Sequence, residues 1–212
     1  MAAITVLALA AGVLWLSSSV SGASTVDLGT TSAANQALAA SAASTAPIWM
    51  KNAVIYQVNT RQSSAAGTFD AVTADLGRLQ KLGVDILWLM PIHPIGEVGR
   101  KGSMGSPYSV ADYYGVNPDL GTEADLRELI NGAHAKGMKV ILDWVANHSS
   151  FDNPWITDHK DWYTQDGQGN VVPPNADWTD VADLNFDVPE MRDGMIDALE
   201  YWVRDFGIDG YR

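Results

Sequence analysis

The chain has 212 residues, with 13 Lys or Arg against 25 Asp or Glu, and so a net charge of −12. That balance argues against nucleic acid as a partner, since a duplex-binding surface needs a clustered basic face, and a hydrophobic fraction of 47% excludes disorder of the whole chain. With no cysteine, disulfide scaffolds, thiolate metal sites, iron–sulfur clusters and cysteine nucleophiles are all removed.

The first 50 residues carry one charge, Asp27. Residues 2–16 are an unbroken apolar and small-residue run, followed by serines and by Ser21-Gly22-Ala23, which offers small residues to a signal peptidase. This predicts a secretory signal peptide at 1–23, although a basic leading region is missing. The run falls short of the roughly 20 residues a membrane span needs, so the mature protein is expected to be secreted or periplasmic without stable membrane insertion. An Ala, Ser and Thr-rich tract, 24–47, reads as a linker.

From Ile48 the grammar changes. An apolar run, 53–58, precedes a helical stretch, 68–82, with Phe69, Val72, Leu76 and Leu79 on one face and a stop at Gly83 before the apolar run 84–90. The pattern repeats at 122–136, where Thr122 and Asp125 have capping-box spacing, Leu126, Leu129, Ile130 and Ala133 align, and Gly137 precedes Lys139-Val140-Ile141-Leu142-Asp143-Trp144. A third helix is predicted over 187–206, capped by Asp187 with Glu190, with Pro189 in its first turn and Gly207 before Ile208-Asp209-Gly210-Tyr211-Arg212.

Near-continuous apolar strands alternating with amphipathic helices predict an α/β fold with a parallel sheet covered on both faces. Of the two architectures that satisfy this, a doubly wound dinucleotide-binding sheet wants a Gly-rich turn after its first strand, and Asn59-Thr60-Arg61-Gln62 stands there instead. The segments after the second and third strands, 91–121 and 145–186, are long, and barrel enzymes build their sites from the loops on that face. The expectation is therefore a TIM-type (β/α)8 barrel. A complete one takes about 250 residues, so 48–212 is expected to hold its N-terminal half, strands 1 to 4, with a small domain, 145–186, inserted after strand 3.

Polar residues cluster at the strand ends. Asp143 ends the third strand, and Asn147 and His148 follow closely enough to face the same pocket. Alone, these read equally well as a local turn cap and an exposed loop histidine. In a barrel the third and fourth strands are neighbours, and Asp143 and Arg212 then form a partly buried charge pair. Tyr108, Tyr113 and Tyr114 lie in the loop after the second strand, where aromatic faces with hydroxyl rims suit sugar rings, although such clusters more often pack the loop itself.

These residues resemble a known family. Asp143-Trp-Val-Ala-Asn147-His148 is similar to the first signature of the alpha-amylase family of glycoside hydrolases, and Gly210-Tyr211-Arg212 to the opening of its second. Residues 106–114 with Gly121-Thr122 resemble its loop before the second helix, and Val181-Ala182-Asp183-Leu184-Asn185 its motif near the end of the inserted domain. Four motifs in order make the resemblance specific.

The resemblance implies a secreted, retaining hydrolase of alpha-glucans such as starch and maltooligosaccharides. In it Tyr108 stacks on the sugar at the cleaved bond, His148 hydrogen-bonds that sugar, Asp143 organises the site floor, and Arg212 tunes a nucleophilic aspartate two positions on. Asn147 and Asp183 match positions that ligate a structural calcium in many members, oxygen donors being what that hard cation takes; no organic cofactor is implied. A retaining glycosidase needs two carboxyl groups about 5–5.5 Å apart, and in the family both follow the arginine, so the 212 residues alone are expected to be inactive. Two alternatives remain: a transglycosylase that uses the same residues with a sugar acceptor, such as a branching enzyme or sugar isomerase, and a non-catalytic barrel subunit, anchored by an uncleaved 2–16 helix, that keeps the barrel and lacks the carboxylates. A barrel enzyme of unrelated chemistry, with no affinity for glucans, is a weaker third.

Overall fold

Residues 47–212 are described by the structure, a computed structural model; the predicted signal peptide, and the predicted linker up to residue 46, lie outside the described residues. Ile48–Met50 forms one 3-10 turn within a unit that ends at Ala53, and Val54–Arg212 belongs to a second.

Within the second unit, strands β1 (Ile55–Val58), β2 (Ile86–Leu89), β3 (Lys139–Leu142) and β6 (Gly210–Tyr211) make one parallel sheet. Their spatial order is their chain order, β1-β2-β3-β6. A doubly wound sheet reverses direction at a switch point and a barrel does not, so the strand order supports the barrel. Helix α1 (Phe69–Leu82) returns the chain from β1 to β2, α2 (Glu123–Ala135) from β2 to β3, and α3 (Pro189–Tyr201) precedes β6.

The helical faces are buried as their periodicity dictates. Phe69, Val72, Leu76 and Leu79 of α1 and Leu126, Leu129, Ile130 and Ala133 of α2 pack with Val58, Leu87, Leu89, Val140 and Leu142 in the main core. Thr122 and Asp125 form the predicted capping box: the Thr122 side chain accepts from the Asp125 N–H while the Asp125 carboxylate accepts from the Thr122 N–H at 2.7 Å. Gly83, at φ 87°, ends α1 in the left-handed conformation that costs glycine little.

Two features of the third helix depart from expectation. It begins at Pro189 with Val188 as N-cap and no side-chain cap, not at Asp187 paired with Glu190. A residue before proline is driven out of the α region, and Val188 sits at φ −82°, ψ 115°, so no helix can run through it. At the other end α3 gives way to a π turn, Trp202–Phe206, which sends Trp202 and Phe206 together into the main core.

The long segment after β3 carries a two-stranded antiparallel ladder, β4 (His148–Ser149) with β5 (Ala182–Asp183), and builds a second core on Tyr113, Val145, Trp162, Tyr163, Leu184, Met191 and Met195. Gly194 of α3 lies against Trp162, whose ring comes within 2.6 Å of where a β-carbon would stand. Among the described residues no helix is long and apolar enough to cross a membrane.

Candidate active site

Strand register places the site. The row Gln57, Trp88, Ile141 and Gly210 crosses the sheet on the face opposite the main core. Two residues on from Ile141 and Gly210, Asp143 and Arg212 stand on that same face at the C-terminal ends of β3 and β6. The ladder continues that far: the Asp143 N–H donates to Leu89 O at 2.8 Å and the Arg212 N–H to Leu142 O at 2.9 Å.

Asp143 is 1% exposed and both of its carboxylate oxygens are engaged. Oδ2 accepts from the Tyr108 hydroxyl at 2.9 Å, and Oδ1 accepts from Arg212 Nη1 at 3.1 Å. The predicted charge pair is thus formed, with its carboxylate buried and its guanidinium half-exposed. That guanidinium also lies over the Trp88 ring, 5.1 Å from its centroid. Burial, reinforced by the bond to Asp143 and by its charge, pushes the Tyr108 hydroxyl up to about 12, so at neutral pH it remains a donor.

His148 Nε2 donates to the Tyr108 carbonyl at 3.1 Å, and the Asn147 amide donates to Nδ1. Burial holds this imidazole below its ordinary range, opposed by the Tyr108 carbonyl and by the charges of Asp180 and Asp183. It is therefore neutral at pH 7, with its proton on Nε2 and Nδ1 accepting from Asn147. The ring lines a cleft of about 430 Å³ together with Tyr108, Trp144, Asn147, Trp178 and Arg212, a volume suited to a small ligand.

Tyr108, Asp143, His148 and Arg212 are thus brought together, with Asn147 beside them. Tyr113 is not at the cleft: it is a buried residue of the second core, its hydroxyl directed at the carbonyls of Val145 and His148. Tyr114 is exposed and edge-on to Tyr201. Lys101, Trp178 and Asp180, which line the cleft, escaped the sequence reading because no spacing joins 101 to 178.

Asp183 stands opposite His148 in the β4–β5 ladder, one position from Asn147. Its Oδ2 accepts from Thr164 Oγ1 at 2.7 Å. The two side chains are of the oxygen-donor kind that calcium takes, but calcium needs about six to eight oxygens, and among the described residues no group of three or more His, Asp or Glu converges as a metal cluster.

Behind the cleft wall lies His93, 1% exposed and edge-on to Trp144 and Trp202, both at 5.4 Å. Its Nδ1 donates to Gly115 O at 3.2 Å, and Nε2 is buried without a partner. Burial lowers its pKa from 6.5 to about 4. The unfolded chain then binds more protons than the folded one between those values, so stability rises with pH across the window and is lost as pH falls through it. The full effect is about 3 kcal/mol at 1.36 kcal/mol per unit. Denaturant midpoints measured from pH 4 to 7 should fall toward acid less steeply in His93→Gln than in the wild type; equal slopes would remove His93 as the cause.

With this geometry in hand, the similarity to known proteins is informative. The family model described as "alpha amylase, catalytic domain" matches residues 51–212. The chain belongs to the alpha-amylase family of glycoside hydrolases. Among curated family members it is 34% identical over 205 residues to a trehalose synthase of Pimelobacter sp. (strain R48), covering 78% of this chain and 34% of that protein. It is 32% identical over 189 residues to alpha-amylase 3 of Dictyoglomus thermophilum, covering 77% of this chain and 36% of that protein. A crystal structure of an alpha-amylase from Lactobacillus plantarum superposes with a TM-score of 0.75 at 49% identity, covering 77% of this chain and 38% of that one. The chain thus spans about a third of the length of these curated relatives, and its sheet corresponds to the first four strands of the family's barrel.

Proposed function

We propose that the protein carrying this chain is a secreted or periplasmic retaining hydrolase of alpha-glucans, and that the described site holds the sugar on the non-leaving side of the cleaved bond. The observation that supports this most is the constellation at the strand ends: a buried carboxylate, Asp143, tied to the Tyr108 hydroxyl and to Arg212 beside the cleft that His148 lines. In this reading Asp143 fixes the Tyr108 ring as a platform for the sugar's apolar C–H face. His148 lines the hydroxylated rim, where its Nε2 proton can be shared between the Tyr108 carbonyl and a sugar hydroxyl. Arg212, held by Asp143, lies where its positive charge keeps a neighbouring carboxyl group ionised.

The covalent chemistry needs a pair of carboxyl groups, and Asp143, already holding two donors, is not a free nucleophile. We assign the pair to sequence beyond the 212 residues and expect these residues alone to be inactive. An aspartate attacks the anomeric carbon while a glutamic acid protonates the departing glycosidic oxygen; water, deprotonated by the resulting glutamate, then attacks the glycosyl ester and releases the aspartate. Release of reducing ends from starch or maltooligosaccharides tests this, and failure with every alpha-glucan tried would end it. Transglycosylation is the second reading, motivated by the similarity to a trehalose synthase. Product analysis at high substrate concentration separates the two, since a sugar acceptor yields rearranged or longer saccharides without net new reducing ends.

Asn147 and Asp183 are proposed to contribute side-chain oxygens to a structural calcium that ties the inserted segment to the β3 end, and no catalytic step runs through it. A ligand present at 100 times its dissociation constant stabilises by about 2.7 kcal/mol. Chelation is therefore expected to lower the melting temperature by several degrees, less so in Asp183→Asn; a chelator without effect on either protein would dismiss the ion.

A further inference from the structure

Trp144, Trp155, Trp162 and Trp202 pack into or against the two cores, whereas Trp178 stands at the lip of the cleft, 45% exposed. Its ring lies 5.8 Å from that of His148, inclined at 75°. The turn that carries it is fastened from both sides. Lys101 Nζ donates to Asp177 O at 2.7 Å and pairs with Asp180 Oδ1 at 3.3 Å. Ser109 Oγ donates to Asp180 O at 2.7 Å, and within the turn the Trp178 N–H donates to Asn175 O at 2.9 Å. Gly99, at φ 69°, approaches so closely that a β-carbon there would lie 2.4 Å from Thr179 O. Any side chain at 99 would push the turn away, so the close approach itself depends on glycine.

An indole carried on a turn that Lys101, Ser109 and Gly99 hold in place, and left half in solvent at a cleft mouth, is a preorganised apolar surface, and Lys101, Asp180 and Asn147 supply polar groups along the same lining. A pyranose matches that arrangement, with its C–H face on the ring and its hydroxyls toward the polar rim. We propose that Trp178 is a stacking platform for a further glucosyl unit of the alpha-glucan, beyond the unit held by Tyr108 and His148, and that it sets the preference for chain length. This rests on the alpha-glucan reading above.

The test compares Trp178→Leu and Trp178→Phe with the wild type in the protein carrying this chain, using maltotriose through maltoheptaose. Leucine keeps an apolar side chain but removes the flat face; phenylalanine keeps a face. For the longest oligosaccharides Trp178→Leu should lower kcat/KM by about tenfold or more, through KM with kcat little changed. The shortest substrate should lose much less, and Trp178→Phe should recover most of the loss. An equal loss at every length, or none in an active enzyme, would overturn the platform while leaving the hydrolase reading intact. A wild-type protein that neither binds nor cleaves any alpha-glucan overturns both.

Discussion

Trp202→Ala is expected to destabilise the protein by about 3–5 kcal/mol, the range for deleting a large buried aromatic side chain. Trp202 is fully buried, tilted against Phe206 with ring centroids 4.5 Å apart and edge-on to Tyr201 at 5.1 Å. Its Nε1 donates to Tyr113 O at 2.8 Å, across 89 residues of sequence. That bond joins the main core, which contains Trp202, to the second core, which contains Tyr113. The alanine variant thus opens a cavity and also leaves a buried carbonyl unpaired, itself worth about 1–3 kcal/mol. Trp202→Phe loses the bond and the outer part of the indole but retains most of the ring volume, so its loss should be the smaller. Chemical denaturation of the three proteins checks the order, and an alanine variant within 1 kcal/mol of wild type would contradict the buried placement.

What could be read ahead of the structure followed from how local each cause is. The α2 capping box needs only Thr122 and Asp125, three residues apart, and it forms. The buried stripes of α1 and α2 need only helical periodicity, and all eight named positions are buried. At α3 two local signals competed: Asp187 with Glu190 has capping spacing, yet Pro189 fixes Val188 as extended and decides the start. The π turn at Trp202–Phe206 had no local signal, because what holds Trp202 is Tyr113 in a distant loop.

The site divides in the same way. The charge pair of Asp143 with Arg212 followed from strand adjacency once a barrel was assumed. The bond from Tyr108 to Asp143 was not anticipated: family likeness gave Tyr108 only as a stacking residue, and no rule of spacing brings 108 to 143. The three loop tyrosines were indistinguishable by composition, and the fold sends one to the cleft, one to the core and one to the surface. Trp178 belongs to the same class of omission: its place depends on the Lys101 and Asp180 contacts between two loops.

Asp143→Ala is expected to lower kcat/KM by about two to four orders of magnitude in the protein carrying this chain. The carboxylate holds two donors, Tyr108 Oη and Arg212 Nη1. Hydrogen bonds to a charged group contribute about 1.5–3 kcal/mol each, and each 1.4 kcal/mol is a factor of ten. The Arg212 side chain is 54% exposed, so solvent screening weakens its share of that sum and favours the lower end. Asp143→Asn should fall between wild type and alanine, because an amide oxygen can still accept from Tyr108 while its NH₂ group faces the Arg212 donors. If Asp143 acts by orienting Tyr108, then Tyr108→Phe, which removes only the hydroxyl, should reduce activity in the wild-type background and have little further effect beside Asp143→Ala. Full additivity of the two changes would show that the hydroxyl and the carboxylate act separately, and the carboxylate's role as the organiser of the site floor would have to be abandoned.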